Sequence, residues 1–241
     1  MRGIKLEARV LFVTYLTQHL EDLVSAVSDA GIEVLDVIAS PVAAAEAGLS
    51  DRQRAAGCML VNIGAETVSI AVHENSTLLS IHVFPIGSTD ITNDIALGLR
   101  IPLEEAESIK TGTIMTNYPR RKIDEIIGAR LSDIFELIET HLRKIKRNEL
   151  LPAGVIITGG GSNISIIEEL SRSSLRLPTK LGTNEIANGR GKVRDSSWFV
   201  AYGLCAIGSG RRAGGMNEYG IGGFGKNLKK TIQNFIKQLL P

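Results

Sequence analysis

Residues 59–72 have the sequence MLVNIGAETVSIAV. Two apolar runs flank Gly64, and Thr67 follows three residues later, which predicts a strand, a tight turn and a second strand. The backbone N–H groups and the threonine hydroxyl of such a turn point toward one place, so the turn can hold a phosphate or another anion. An ordinary hairpin between two buried strands has the same pattern, and these residues alone favour neither interpretation.

A second glycine-rich turn follows another apolar run, over residues 155–158, about a hundred residues later. It consists of Gly159, Gly160, Gly161 and Ser162. Glycine lets the backbone approach a flat base or a phosphate without a Cβ clash. Two such turns after buried strands therefore favour a ligand site over a plain hairpin.

The composition narrows the class of protein. The chain has 241 residues, 44% hydrophobic and 22% charged, which is typical of a soluble globular protein with one large or two modest domains. Its net charge of +1 provides no overall field for nucleic acid. Cys58 and Cys205 lie in apolar surroundings, so we expect two buried thiols in a reducing compartment. No spacing typical of a metal site and no catalytic residue stands out.

The first fifty residues alternate between strand and helix patterns. Strands are predicted over residues 7–15 and 32–38, with a helix over 20–30 between them and Gly31 as its C-cap. Ser40 is expected to cap a helix that has Pro41 at its first position and ends at Gly48. An exposed turn is predicted over residues 51–54.

The remaining apolar patterns predict an α/β protein with an inserted helical part. The predicted strands cover residues 59–63, 68–73, 78–85 and 155–158. The predicted helices cover residues 88–99, 103–110, about 131–145, 164–171 and 197–208, the last of them buried all round.

The composition changes after residue 208. Residues 209–225 hold seven glycines, which predicts a flexible linker. Residues 226–241, called the tail below, place apolar and basic side chains on opposite sides of a helix. The side chains expected to bind a membrane are Leu228, Lys229, Lys230, Ile232, Phe235, Ile236, Lys237, Leu239 and Leu240. A terminal helix that packs on its own domain is the other interpretation, and the glycine linker argues against it.

Four stretches carry a family resemblance. They read LVNIGAETVSIAV, FPIGSTDITNDIALGLRIPLEEAESIK, GVIITGGGSNI and WFVAYGLCAIG. Their order and spacing resemble the second half of FtsA, the actin-like cell-division protein of bacteria. The stretch GSTDITNDIALGLRIPLEEAESIK is the most specific, since it separates FtsA-like chains from the MreB and DnaK types. The resemblance extends from Leu6 to Gly208.

The resemblance implies an incomplete actin-like (ribonuclease H-like) α/β fold with a C-terminal amphipathic helix. Residues 1–57 would be the end of the IC insert and part of subdomain IA. Residues 58–208 would be subdomain IIA, with subdomain IIB inserted at about 102–151. The first phosphate loop of the family is missing from the sequence, so we expect a truncated product, a fragment or a diverged short form.

The resemblance also implies ATP with Mg²⁺ as the cofactor. Gly64, Ala65, Glu66 and Thr67 would form the second phosphate loop, and Gly159, Gly160, Gly161 and Ser162 would pass under the adenosine. Glu107 and Lys110 would contact ribose and adenine. Asn62 departs from the pattern, because most of the superfamily has an aspartate there that holds the hydration shell of the magnesium ion. We therefore expect weak or no ATPase activity.

The function implied is that of an adaptor anchoring the FtsZ ring to the cytoplasmic membrane at the division site. The expected partners are membrane lipids, other copies in actin-like filaments and the FtsZ tail, with no nucleic acid. Arg143, Lys144, Lys146 and Arg147 would attract the FtsZ tail, although a solvated basic face is the commoner origin of such a run. The alternatives are a PilM-like protein of type IV pilus assembly, which should lack the basic tail, and an ATPase or sugar kinase, which Asn62 opposes.

Overall fold

The computed structural model of the protein describes residues 7, 10–114, 117–182 and 195–209. The tail and all but the first residue of the predicted linker lie outside them. The helices are α1 (Thr17–Asp29), α2 (Ser40–Gly48), α3 (Asp51–Ala56), α4 (Ser88–Leu99), α5 (Leu103–Lys110), α6 (Arg120–Lys144), α7 (Ile167–Leu175) and α8 (Phe199–Gly208). The strands are β1 (Cys58–Ile63), β2 (Val68–Glu74), β3 (Thr77–Phe84), β4 (Val155–Thr158) and β5 (Thr179–Leu181).

The five strands form one mixed sheet in the order β3-β2-β1-β4-β5. The three strands β1, β2 and β3 pair antiparallel as a meander, whereas β4 lies parallel to both β1 and β5. The predicted α/β class is confirmed, and so are the four predicted strands that correspond to β1, β2, β3 and β4. Strand β5 was not predicted, because its three residues are too few to show an alternating pattern.

Helices cover both faces of this sheet, which explains why β1 is apolar along nearly its whole length. Met59, Val61 and Ile63 point to a large core shared with α4, α6 and α7. Cys58 and Leu60 point to a smaller core on the opposite face, shared with α2 and α8. The central strand is thus buried from two sides and holds both layers together.

The first part of the chain differs from its prediction. Residues 10–16 and 32–38 belong to no strand, so the two predicted strands are wrong for the described residues, while the helix between them is confirmed as α1. Gly31 follows it at φ +78°. A strand needs a neighbour for its backbone groups, and no strand of the described part lies beside either segment. Their apolar side chains are exposed, with Phe12 at 82% and Leu35 at 62%.

Three further expectations are corrected. The predicted turn over 51–54 is the helix α3, because Ser50 and Gln53 form a capping box across its first turn. The helix α6 begins at Arg120, well before the predicted 131, and α7 begins at Ile167 after a short 3-10 turn over Gly160–Asn163. The predicted all-round burial of residues 197–208 is also wrong.

Within α8 only Phe199 and Gly203 are buried, and Cys205 is exposed rather than buried. Burial here is one-sided, because a single helix, α2, covers α8. A Cβ atom on Gly203 would lie 1.8 Å from the carbonyl oxygen of Ala43, and one on Gly48 would lie 3.2 Å from the Phe199 ring. The start of α8 therefore lies beside the end of α2, so the two helices run antiparallel at backbone contact.

This close approach gives a stability prediction. The substitution Gly203→Ala should lower the free energy of unfolding by roughly 2–4 kcal/mol, because the added methyl group must push α8 away from α2. Gly208→Ala is the matched control in the same helix, since nothing lies within 4 Å of its Cβ position. It should change stability by less than about 1 kcal/mol. Equal midpoints of urea unfolding for the two variants would contradict the packing described.

Candidate functional site

Both glycine-rich turns begin where a strand of a parallel pair ends. Asn62 near the end of β1 lies opposite Thr158 at the end of β4. The turn over residues 64–67 follows the first strand, and the turn over 159–162 follows the second. The carboxyl ends of parallel strands are where open α/β sheets bind ligands, so the two turns meet at the expected edge.

The first turn rests on the beginning of α4. The Gly64 N–H donates to the Thr67 carbonyl over 2.9 Å and closes the turn. The carbonyl oxygens of Gly64 and Ala65 accept from the N–H groups of Ser88 and Thr89, over 2.9 and 2.8 Å. These two amides of α4 are therefore already used. The exposed residues Ala65, Glu66 and Thr67 are the part of the turn that can present N–H groups to an anion.

Two residues of this contact were missed by the sequence analysis. A Cβ atom on Gly87 would lie 2.2 Å from the Ala65 carbonyl oxygen, so only glycine fits there. The Asp90 carboxylate accepts a hydrogen bond of 2.8 Å from the Gly87 N–H and so fixes the entry into α4. The pattern Gly-Ser-x-Asp ahead of an apolar helix is the signal that could have identified them.

The second turn packs directly on the end of β1, just before the first turn. Gly159 has φ +91°, and a Cβ atom there would lie 2.3 Å from the Ile63 carbonyl oxygen and 2.7 Å from Asn62 Oδ1. A Cβ atom on Gly161 would lie 2.5 Å from Ile63 Cγ2. Gly160 is different, since its Cβ position meets only Ser197 Cβ at 4.0 Å. Gly159 and Gly161 thus hold the second turn against the last residues of β1, and Gly160 presents open backbone.

A segment that the sequence analysis did not single out completes the second turn. Ser196 and Gly159 exchange two hydrogen bonds: the Gly159 N–H donates to the Ser196 carbonyl over 3.1 Å, and Ser196 Oγ donates to the Gly159 carbonyl over 2.9 Å. Ser162 Oγ donates to Ser196 Oγ over 2.9 Å. Asp195 caps this segment by accepting from the Ser197 N–H, which holds the pKa of Asp195 below its usual value. The Asp-Ser-Ser pattern before an apolar helix was its signal.

Lys110, which was expected to contact the nucleotide, is hydrogen-bonded within the protein. Its Nζ lies 2.7 Å from Glu107 Oε2 and donates to the Ser88 carbonyl over 3.0 Å and to Thr92 Oγ1 over 2.8 Å. An ammonium group has three N–H donors, and all three have acceptors here. The side chain is 8% exposed, so Lys110 joins α5 to the start of α4 and has no donor left for a ligand.

Glu107 keeps its side chain at the surface, 49% exposed. Burial of the carboxylate raises its pKa, but the hydrogen bonds from Lys110 and Thr92 and the charge of Lys110 outweigh this, so the pKa lies below the usual value. Glu107 and Lys110 therefore form an ion pair, and the ionised Glu107 is the member that can accept a hydrogen bond from a hydroxyl group of a ligand.

The residues present fit a nucleotide better than a protein-bound magnesium ion. The two turns supply open backbone and the exposed Thr67 hydroxyl, which suit phosphate and a flat base, whereas the hydroxyl of the buried Ser162 donates to Ser196. Asn62, which is half-buried, supplies an amide oxygen with no charge. Among the described residues, no group of three or more His, Cys, Asp and Glu side chains could hold a metal. A magnesium ion would therefore depend on the oxygens of the nucleotide and on water.

The four basic residues predicted to bind the FtsZ tail do not join this site. They lie at the end of α6 and just after it. Arg143 pairs with Glu139 over 2.7 Å, and Arg147 pairs with Glu74 over 2.8 Å. Lys144 and Lys146 are exposed, so half of the predicted basic run is already neutralised by the protein itself.

A comparison with protein families places most of this structure in a known family. The family model described as "Cell division protein FtsA" matches residues 59–203. The FtsA of Pseudomonas aeruginosa is 29% identical over 90% of this chain and 58% of its own length. The FtsA of Bacillus subtilis is 30% identical over 85% of this chain and 50% of its own length. The chain thus spans about half the length of the curated relatives it matches.

Solved structures share the fold at lower identity. MreB5 of Spiroplasma citri bound to ADP has a TM-score of 0.64 at 19% identity, over 91% of this chain and 68% of its own. The "PilM-PilN type IV pilus biogenesis complex" has a TM-score of 0.65 at 19% identity, over 78% of this chain and 57% of the other. At this identity they show the actin-like fold alone.

The contact between the second turn and the end of β1 gives the second prediction. Gly159→Ala should lower the free energy of unfolding by about 2 kcal/mol or more, because the methyl group would meet the Ile63 carbonyl at a φ that alanine disfavours. Gly160→Ala, at the neighbouring position, should cost less than about 1 kcal/mol. Thermal unfolding of both variants is the measurement. A Gly159→Ala protein as stable as Gly160→Ala would show that the second turn does not touch β1 as described.

Proposed function

The chain belongs to the FtsA family, and on that basis we propose that it acts in cell division as an adaptor that attaches the FtsZ ring to the cytoplasmic membrane. The family match over residues 59–203 carries this proposal, since it includes the sheet, both glycine turns and the helices α4 to α6. The PilM-like alternative has only a shared fold in its favour.

The nucleotide part of the proposal rests on the meeting of the two turns. ATP would lie with its phosphates at Gly64, Ala65, Glu66 and Thr67 and with its adenosine over Gly159, Gly160, Gly161 and Ser162. Glu107 would accept a hydrogen bond from a ribose hydroxyl, and Asn62 would lie beside the phosphates. Lys110 would position Glu107 and the start of α4. Hydrolysis would be weak or absent, because the neutral Asn62 cannot hold a hydrated magnesium ion as a carboxylate does.

We assign the parts of the chain to the subdomains of an actin-like fold. Residues 58–208 form subdomain IIA, and residues 102–151 form the inserted IIB, which contains α5 and α6. The hydrogen-bonded pair of Asp94 and Arg130, with N–O distances of 2.6 and 2.9 Å, fixes α6 on α4 across this boundary. Residues 1–57 supply the end of IC and part of IA.

The tail would provide the membrane contact. Its six apolar side chains at roughly 1.5–3 kcal/mol each give a gross gain of about 9–18 kcal/mol when buried in the interface. Each lysine near an anionic leaflet adds about 1 kcal/mol, while ordering the segment costs a comparable amount to the apolar gain. The net result is marginal, reversible anchoring that self-association would strengthen. No helix of the described residues is long and apolar enough to cross a membrane.

At the membrane, the protein would lie peripherally on the cytoplasmic face at the division site. Copies would associate into actin-like filaments through the described body. The exposed Lys144 and Lys146, at the end of α6, would attract the acidic tail peptide of FtsZ, with Arg143 and Arg147 beside them. Since the last two are paired with carboxylates, the two lysines should carry most of the attraction.

The role of Asn62 gives a test of the nucleotide site. Asn62→Asp should tighten binding of ATP in the presence of magnesium by about tenfold, because a carboxylate can hold the hydrated ion. Asn163→Asp adds the same charge in the exposed end of the second turn and should leave binding unchanged or weaker. Equilibrium dialysis of labelled ATP, with and without magnesium, measures the effect. No saturable binding at millimolar ATP by any of the three proteins would remove the nucleotide site from the proposal.

The tail is tested with vesicles. The full chain should pellet with vesicles that contain phosphatidylglycerol, and Phe235→Glu should reduce the bound fraction by at least fivefold, because it places a charge on the apolar side of the tail. Gln233→Glu adds the same charge to the polar side and should have less than half that effect. Equal pelleting of all three proteins, or none by the unaltered chain, would contradict membrane anchoring.

The FtsZ contact is tested with the tail peptide of FtsZ. Lys144→Glu should weaken binding of that peptide by about tenfold at low salt, since attraction to an acidic peptide becomes repulsion. Lys122→Glu places the same change at the other end of α6, where the side chain is also exposed. It should alter the affinity by less than twofold in a fluorescence anisotropy titration. Equal effects of the two substitutions would point to a non-specific charge interaction.

A further inference from the structure

Residues 10–38, here called the acidic arm, carry charge of only one sign. The arm contains Glu21, Asp22, Asp29, Glu33 and Asp36 and neither lysine nor arginine. All five carboxylates are exposed. The rest of the chain mixes both signs, as in the ion pairs along α6. The arm is thus a segment of negative charge next to a nearly neutral body.

The same arm exposes apolar surface. Ten of its large hydrophobic side chains are exposed, Phe12 at 82% and Leu16 at 72% among them, and no residue of α1 is buried. Ten exposed large apolar side chains within one segment exceed the single, scattered ones of an ordinary protein surface. Surface of this amount, rimmed by charges of one sign, is typical of a docking site for a chain of opposite charge.

The tail has the complementary chemistry. It contains Lys226, Lys229, Lys230 and Lys237, no acidic residue, and six large apolar side chains. The apolar side chains match the exposed surface of the arm, and the four lysines match its five carboxylates. Both kinds of complementarity therefore favour the tail as the occupant.

The path of the chain brings the two together. The helices α2 and α8 are antiparallel, with Phe199 beside Gly48 and Gly203 beside Ala43. The end of α8 at Gly208 therefore lies toward the start of α2 at Ser40, two residues after the arm. The seventeen residues 209–225 between α8 and the tail have a root-mean-square span of about 23 Å as a glycine-rich chain. The tail is within reach of the arm without any rearrangement of the body.

We propose that the tail docks on the acidic arm of its own chain, and that this contact competes with the membrane for the apolar side of the tail. The proposal rests on the membrane role proposed above for the same segment. A tail cannot bury its apolar side chains in the arm and in lipid at once, so the apparent vesicle affinity equals the intrinsic affinity reduced by the fraction of undocked tail. The arm thus acts as a built-in restraint on membrane attachment.

Docking is tested directly by zero-length carbodiimide cross-linking of the full chain, which joins lysines to carboxylates in contact. We expect links from the tail lysines to Glu21, Asp29 and Glu33, and their loss by at least fivefold when phosphatidylglycerol vesicles are added. An equal mixture of ¹⁴N- and ¹⁵N-labelled protein separates links within a chain from links between copies. Mixed-isotope links, or links from the tail only to the body, would overturn the proposal.

Vesicle affinity gives the second test. The triple variant Glu21→Gln, Asp29→Asn and Glu33→Gln should bind phosphatidylglycerol vesicles three- to tenfold more tightly, because the tail is released. The control variant Glu104→Gln, Glu136→Gln and Glu169→Gln changes the net charge equally at exposed sites on the body and should gain less than twofold. Equal gains in both would show that only net charge matters and would overturn the proposal.

The two tests separate this inference from the membrane role beneath it. Cross-links from tail to arm in a protein that does not pellet with vesicles would contradict membrane anchoring and leave docking established. Pelleting with no cross-links would contradict docking and leave the anchoring role in place. Circular dichroism of both triple variants confirms that they are folded, as all six carboxylates are exposed.

Discussion

The structure depends on backbone contacts that only glycine permits. Gly87 places its backbone against the turn after β1, and Gly159 and Gly161 place theirs against the last residues of β1, at distances that no Cβ atom could share. These contacts fix two turns and the start of α4 at one edge of the sheet, where β1 and β4 end side by side. Gly203 does the same for the packing of α8 on α2. Without these contacts we expect the sheet to remain, but the two turns would no longer be held together at its edge.

The chemistry of that edge suits binding better than reaction. Lys110, which contacts the start of α4, has all its donors in use within the described residues, and Asn62 offers a neutral amide where a carboxylate would hold a hydrated cation. What remains available is open backbone, the Thr67 hydroxyl and the ionised Glu107. A nucleotide bound in such a site would act as a conformational ligand, which is compatible with the adaptor function proposed above.

Much of the fold could be predicted from the sequence, and the failures have physical causes. The strands β1 to β4 and the helices α4 and α5 are clear because each buries a continuous or periodic apolar face. The segments at 10–16 and 32–38 have the composition of strands, but pairing depends on a neighbour that composition does not reveal. For α8 the sequence pattern did not reveal that one side is exposed, because small apolar residues occur both on helices covered on one face and on helices covered on all faces.

The site was predicted in part. The two glycine turns were identified because glycine after a buried strand has few other uses. The supporting residues Gly87, Asp90 and Ser196 were missed, since each acts through a contact with a distant part of the chain. Lys110 was expected to contact a ligand, but its three donors are used inside the protein, which depends on a contact with α4 that the spacing on α5 does not reveal. The tail and its linker were predicted from charge and periodicity, and those predictions stand untested.

The central claim is that the two turns together form a nucleotide site. The most direct measurement is a titration of the ¹⁵N-labelled full chain with ATP and magnesium, followed by amide chemical shifts. The account predicts saturable shifts that are largest at Ala65, Glu66, Thr67, Gly160 and Gly161, with little change at α6. Saturable shifts elsewhere with none at these amides, or no shifts at millimolar ATP, would contradict it.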